Sequence, residues 1–213
     1  MSLQSISIPP TTDRKPVALI VALHGWGANA RDLTSLAPAF NLPDYQFVFA
    51  DAPFPHPHVT GGKAWYDLQS KDARGLAESR QLLREFLLSL ESSTGVPLSR
   101  TILGGFSQGG AMTLDVGLTL PLAGLICLSG YWHSSISTVA GSALPPVLIV
   151  HGTQDTIVPV SAAVRSRDSL TASGSAVQYR EFNMGHEILP EVVDLMRSFV
   201  VQTVSKSDKR LSI

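Results

Sequence analysis

Short runs of continuously apolar residues alternate along this chain with longer stretches of helical period, and no other feature restricts the fold as much. Six such runs stand out, at 17–23, 46–50, 101–106, 124–129, 147–151 and 177–182. A strand with no polar face has to be covered on both sides, which is the condition of a parallel sheet lying between helix layers. Residues 3–8 read differently: Ile6 and Ile8 alternate with Ser5 and Ser7, the pattern of a half-exposed edge strand. Between the third and fourth of these seven strands, Leu76, Leu83, Phe86, Leu87 and Leu90 fall on one helical face, and Gly95 with Pro97 supplies the stop. A last helix is predicted from Pro190, a favourable first-turn residue, with Val192, Val193, Met196, Phe199, Val200 and Val204 as its buried stripe. The predicted class is α/β, a mostly parallel central sheet with helices on both faces.

No composition shift, low-complexity linker or internal repeat divides the 213 residues. One domain over 1–204 is expected, followed by a polar, aperiodic tail, 205–213, that should fray. Sixteen Lys plus Arg against seventeen Asp plus Glu leave a net charge of −1 and no basic field, so neither nucleic acid nor an anionic membrane is an expected partner. A lone cysteine cannot form an internal disulfide, and Cys127, inside an apolar run, reads as inert core. Arg14 and Lys15 before the apolar run 16–23, with Ala28-Asn29-Ala30 after it, imitate a signal peptide. That reading fails, because the run is short, lies behind thirteen mostly polar residues and leads into a glycine-rich loop. No apolar stretch has the length to cross a bilayer, and a cytoplasmic protein is expected. The low charged fraction, 15%, and the aromatic loop described next are compatible with a homodimer.

Residues 51–71 form the one long segment without periodicity, with Pro53, Pro55, Pro57, Gly61 and Gly62 among several aromatics. Long structureless loops in compact domains tend to be functional, which places this one beside the site. The strongest chemical signal is Gly105-Phe106-Ser107-Gln108-Gly109, directly after an apolar strand and directly before a helical pattern. G-x-S-x-G between strand and helix is a nucleophile elbow: the serine occupies a strained turn, and small neighbours let strand and helix come close.

A serine hydroxyl needs a base to take its proton. Of six histidines, His133, His151 and His186 follow the serine, and only His186 is preceded by an acid on a loop after a strand. That acid is Asp155, four residues beyond the run ending at His151; Asp115 and Asp168 fall in helical patterns, where carboxylates are usually solvated. Its expected role is to accept a hydrogen bond from the imidazole and fix the tautomer. The tetrahedral intermediate needs two donors for its oxyanion. The backbone N–H groups of Gln108 and Trp26 are the candidates, the latter in Leu23-His24-Gly25-Trp26-Gly27. Trp26, Trp65 and Tyr66 are the candidate side chains of the substrate pocket, and His24 should brace its loop by hydrogen bonding. His56 and His58 lack a third ligand nearby, so no metal is expected.

Leu23-His24-Gly25-Trp26-Gly27, Trp65-Tyr66-Asp67, Gly105 to Gly110, His151 to Asp155 and Gly185-His186 together resemble the phospholipase/carboxylesterase family, which includes the acyl-protein thioesterases. The resemblance implies an α/β-hydrolase fold without a cap domain, a triad of Ser107, Asp155 and His186, and an oxyanion hole from Trp26 and Gln108. It also implies a small-molecule acyl ester or thioester substrate of short-to-medium chain and no cofactor. Two positions depart from the eukaryotic thioesterases: Trp26, where leucine is usual, and Ala28, where an acidic residue is usual. A tryptophan at that position is expected to shorten or redirect the acyl channel.

Overall fold

The computed structural model describes residues 2–133 and 144–210, the side chains of 207–210 excepted. Seven strands form one sheet: β1 (Ser5–Ile8), β2 (Ala18–Leu23), β3 (Tyr45–Ala50), β6 (Thr101–Phe106), β7 (Gly124–Leu128), β8 (Val147–Gly152) and β9 (Val177–Phe182). A separate two-stranded hairpin pairs β4 (Phe54–Pro55) with β5 (Lys63–Ala64). The main sheet runs β1-β3-β2-β6-β7-β8-β9, parallel throughout except for β1, which is antiparallel to β3. Five α-helices complete the described chain: α1 (Leu36–Phe40), α2 (Leu76–Thr94), α3 (Gln108–Gly117), α4 (Val160–Ala172) and α5 (Pro190–Arg210). This is the α/β-hydrolase architecture, with no cap domain among the described residues.

The two faces of the sheet follow from the two-residue period of its strands. Leu19, Val21 and Leu23 of β2 pack with Leu83, Leu87 and Leu90 of α2, Met112 and Leu114 of α3, and Leu170 of α4. Their neighbours Ala18 and Ile20 pack on the opposite side with Phe40 of α1 and Val192, Met196, Phe199 and Val200 of α5. β1 has the half-exposed edge pattern its alternation predicts. β9 departs from the continuous burial its apolar run suggests: it is the other edge, Arg180 and Glu181 are exposed, and Arg167 stacks over the Tyr179 ring at 4.9 Å.

Two further expectations need correction. The segment 51–71 carries the β4–β5 hairpin, too short and too proline-rich to register as periodicity. Fraying is predicted from Ser205, yet α5 continues to Arg210. Once a packed stripe has nucleated a helix, each further polar residue extends it at little cost. Residues 211–213 of the predicted tail lie outside the described residues. No helix of the described residues is long and apolar enough to cross a membrane.

Candidate active site

Four loops leave the carboxyl ends of β2, β6, β8 and β9 on one rim of the sheet, the end where open α/β sheets place their chemistry. Between β6 and α3, Ser107 has φ +56° and ψ −117°, a conformation that a side-chain-bearing residue adopts only when its surroundings force it. The force is visible. A Cβ added at Gly105 would lie 2.2 Å from the Gly109 carbonyl oxygen, and one added at Gly109 would lie 2.3 Å from that of Leu23. The Ser107 N–H donates to Leu128 O at 2.8 Å, tying the turn to β7.

After β2, the loop 24–28 runs alongside the hairpin: Gly27 N–H donates to Lys63 O at 2.9 Å and Lys63 N–H to Ala28 O at 2.8 Å. The N–H groups of Trp26 and Gln108 have no hydrogen-bond acceptor among the described residues, the state expected of groups reserved for an oxyanion. His24 braces the loop as predicted. Its Nε2 accepts the Ala52 N–H at 3.0 Å, so Nδ1 carries the proton and donates to Gly25 O at 2.8 Å. Burial holds its pKa below the ordinary 6.5 and keeps the ring neutral.

The Gln108 side chain has a role the motif does not announce. Its Oε1 accepts the Trp65 N–H and its Nε2 donates to Tyr66 O, both at 2.8 Å, so the residue after the nucleophile clamps the Trp65-Tyr66 backbone. Trp65 requires a correction: expected in the substrate pocket, it is fully buried, donating from Nε1 to His24 O at 3.0 Å while Ser79 donates to its carbonyl. It is a strut beneath the loop 24–28. Tyr66 is also buried, with its hydroxyl 2.6 Å from that of Tyr131, and it edges a groove of 410 Å³ lined by Trp26, Phe54, Pro55, Pro57 and Ala64. Burial pushes the Tyr66 phenol pKa far up, so it is present as the neutral hydroxyl.

On the loops after β8 and β9, Asp155 and His186 meet: His186 Nδ1 is 2.7 Å from Asp155 Oδ2. The other carboxylate oxygen accepts the N–H groups of Ile157 and Val158, each at 2.9 Å. Burial pushes this carboxyl up, but the His186 hydrogen bond and the two amides outweigh it and hold the pKa below the ordinary value. The His186 ring lies against Phe106, centroids 4.7 Å apart, one residue from Ser107. No hydrogen bond joins the Ser107 hydroxyl to His186 in this structure; such bonds commonly tighten only when substrate is present. His151 lies fully buried behind the acid, with Nε2 2.8 Å from Val158 O and 3.4 Å from Asp155 Oδ2.

Asp115 overturns the expectation of a solvated helix carboxylate. It is 1% exposed on α3, accepts from Arg80 Nε and Nη2 at 3.0 and 2.7 Å, and lies 2.7 Å from His133 Nδ1. The legible signal was its surroundings, since every residue of α3 is buried and a charge there requires a partner. Cys127 is buried, as predicted, and its thiol pKa is pushed up to about 12, which leaves it unreactive.

The sequence profile of the phospholipase/carboxylesterase family matches residues 8–204. The chain belongs to that family. Among relatives, acyl-protein thioesterase 1 of Schizosaccharomyces pombe is 33% identical over 175 residues, covering 74% of this chain and 76% of that protein. Acyl-protein thioesterase 1 of Neurospora crassa is 29% identical over 216 residues, covering 89% and 88%. Among solved structures, esterase PE8 superposes with a TM-score of 0.87 at 31% identity, over 95% of this chain and 100% of that one. This member of the phospholipase/carboxylesterase family is an ester hydrolase of the α/β type.

Proposed function

We propose that the chain hydrolyses short-to-medium acyl esters or thioesters through an acyl-enzyme formed on Ser107. The observation that carries this reading is the 2.7 Å bond from His186 to Asp155, with the His186 ring packed on Phe106 beside the elbow serine. Asp155 accepts from Nδ1–H and thereby leaves Nε2 of His186 as the basic nitrogen. As the Ser107 oxygen attacks the acyl carbon, Nε2 takes the hydroxyl proton, and the N–H groups of Trp26 and Gln108 receive the developing oxyanion. Collapse expels the alcohol or thiol, which takes the proton from His186. A water molecule then repeats the sequence and frees the acid.

The groove lined by Trp26, Phe54, Pro55 and Pro57 supplies an apolar surface next to the oxyanion loop, which supports an acyl chain as ligand. A fluorophosphonate probe tests the assignment: Ser107 is labelled in the native chain, and Ser107→Ala loses both label and turnover while melting normally. Substantial ester turnover by Ser107→Ala overturns the reading. Amide hydrolysis faster than ester hydrolysis would instead assign the same machinery to a peptidase. Esters and thioesters of graded chain length then define the substrate.

A further inference from the structure

We propose that His56 is a positioning residue of the oxyanion loop: an imidazole locked by two backbone amides that packs on the Trp26 indole and so aims the Trp26 N–H. The inference rests on the reading of that N–H as an oxyanion donor.

His56 and His58 stand two apart in the proline-rich loop but have different surroundings. His58 is exposed and bonds the Gln69 side chain at 3.1 Å. His56 Nδ1 accepts the N–H groups of His58 and Val59 at 3.1 and 3.0 Å. Its own N–H donates to Gly62 O at 2.8 Å, and the Gly62 N–H returns to Val59 O at 3.0 Å. The imidazole therefore closes the turn that leads into β5. Because both amides donate to Nδ1, the neutral ring must carry its proton on Nε2.

That Nε2 is buried and has no hydrogen-bond acceptor among the described residues, an arrangement that costs free energy and that a ring serving only to fill space would avoid. The edge bearing it is turned towards the oxyanion loop. A Cβ at Gly27 would lie 3.4 Å from Cδ2 and 3.5 Å from Nε2 of His56. The ring meets the Trp26 indole at 73° with centroids 4.6 Å apart, an edge-to-face contact of the kind in which an aromatic face accepts a positive edge.

The loop needs such a support. His24 secures it on one side of Trp26 and the two bonds to Lys63 secure residues 27 and 28 on the other, while the Trp26 N–H has no acceptor among the described residues. The peptide carrying that N–H is fixed at its carbonyl end, where Gly25 O accepts from His24 Nδ1 at 2.8 Å and from the Ala28 N–H at 3.3 Å, and His56 adds the contact that seats the indole beyond it. Loss of a whole oxyanion donor costs about 10² to 10³ in kcat, so misaiming one is expected to cost part of that.

The test compares the full chain with His56→Ala, His56→Asn and His56→Phe on a chromogenic ester. Asparagine restores an acceptor near Nδ1 without the ring, and phenylalanine restores the ring without the acceptor. We expect His56→Ala to lower kcat by about tenfold or more with KM changed less than about twofold. Affinity for a trifluoromethyl ketone, which forms a tetrahedral adduct, should fall by the same factor as kcat. Each of the other two variants should recover part of the loss and neither all of it. An unchanged kcat, a change in KM alone, or full recovery by asparagine overturns the inference. If alanine at this position prevents folding, the asparagine and phenylalanine variants carry the same comparison. Failure of the underlying reading is distinguishable, since wild-type protein would then not be labelled at Ser107 by a fluorophosphonate.

Discussion

On one side of the active rim Ser107 is held by main chain, and on the other Asp155 and His186 are held by side chains. The serine owes its place to a strained φ, to Gly105 and Gly109 packed against neighbouring carbonyls, and to an N–H anchored on Leu128. None of these contacts can be titrated, and none tolerates an added methyl group. Asp155 and His186, the proposed acid and base, sit on loops after β8 and β9 and depend on hydrogen bonds to a carboxylate. One half of the site is rigid and blind to pH; the other is adjustable and sensitive to it. On the proposed mechanism, this arrangement separates the part that must not move from the part that must exchange a proton.

Substitutions can break that contrast. The largest expected effect is Ser107→Ala, which should lower kcat by about 10⁶ with the melting temperature unchanged. Asp155→Asn should follow at about 10⁴, measured as kcat, because an amide facing Nδ1 stabilises the wrong imidazole tautomer. Gly109→Ala should behave in the opposite way. Its Cβ would lie 2.3 Å from Leu23 O, so we expect a loss of about 3 kcal/mol in urea unfolding, with activity falling alongside stability. If Gly109→Ala folds as well as wild type, the backbone half is softer than the contrast requires.

The smallest effects concern pH and sharpen the comparison. Two groups bear on stability in acid, Asp155 and His24, and both have their pKa held below the ordinary value. The Asp155 carboxyl, held below its ordinary pKa, contributes stability that is complete above the unfolded-state value and is lost as pH falls through the folded-state value. His24, kept neutral by burial, withholds a proton that the unfolded chain accepts below about 6.5, so it too favours unfolding as acidity rises. Urea midpoints should therefore fall on the acid side, first from His24 and later from Asp155. With His24→Asn the first phase should vanish while the second remains. Turnover should decline in acid as well, as the Asp155 carboxylate that orients His186 becomes protonated. A flat kcat/KM profile across the acidic range would contradict its role.

The backbone half was also the easier half to read from sequence. Continuous apolar runs locate β2, β3, β6, β7 and β8 closely because those strands are buried on both faces. The elbow is legible because only glycine fits beside it. Asp155 and His186 follow from chain order and from their position after strands. What stayed hidden depends on contacts between segments distant in the chain. No local pattern reveals that Trp65 is a strut clamped by Gln108, or that Asp115 pairs with Arg80 and His133. The β4–β5 hairpin is held by bonds to residues 27 and 28 of the loop after β2 rather than by any propensity of its four residues.

The strand order has a consequence for when the enzyme acquires its activity. The contacts that hold Ser107 come from β2, β6, α3 and β7, all of which precede β8 and β9 in the chain, and those last strands add at the far edge. In chain order, the Ser107 hydroxyl is supplied before Asp155 and His186, the proposed acid and base. In refolding, recovered ester turnover would report the arrival of that final edge, whereas fluorescence would sum the burial of Trp26, Trp65 and Trp132 in other parts of the chain.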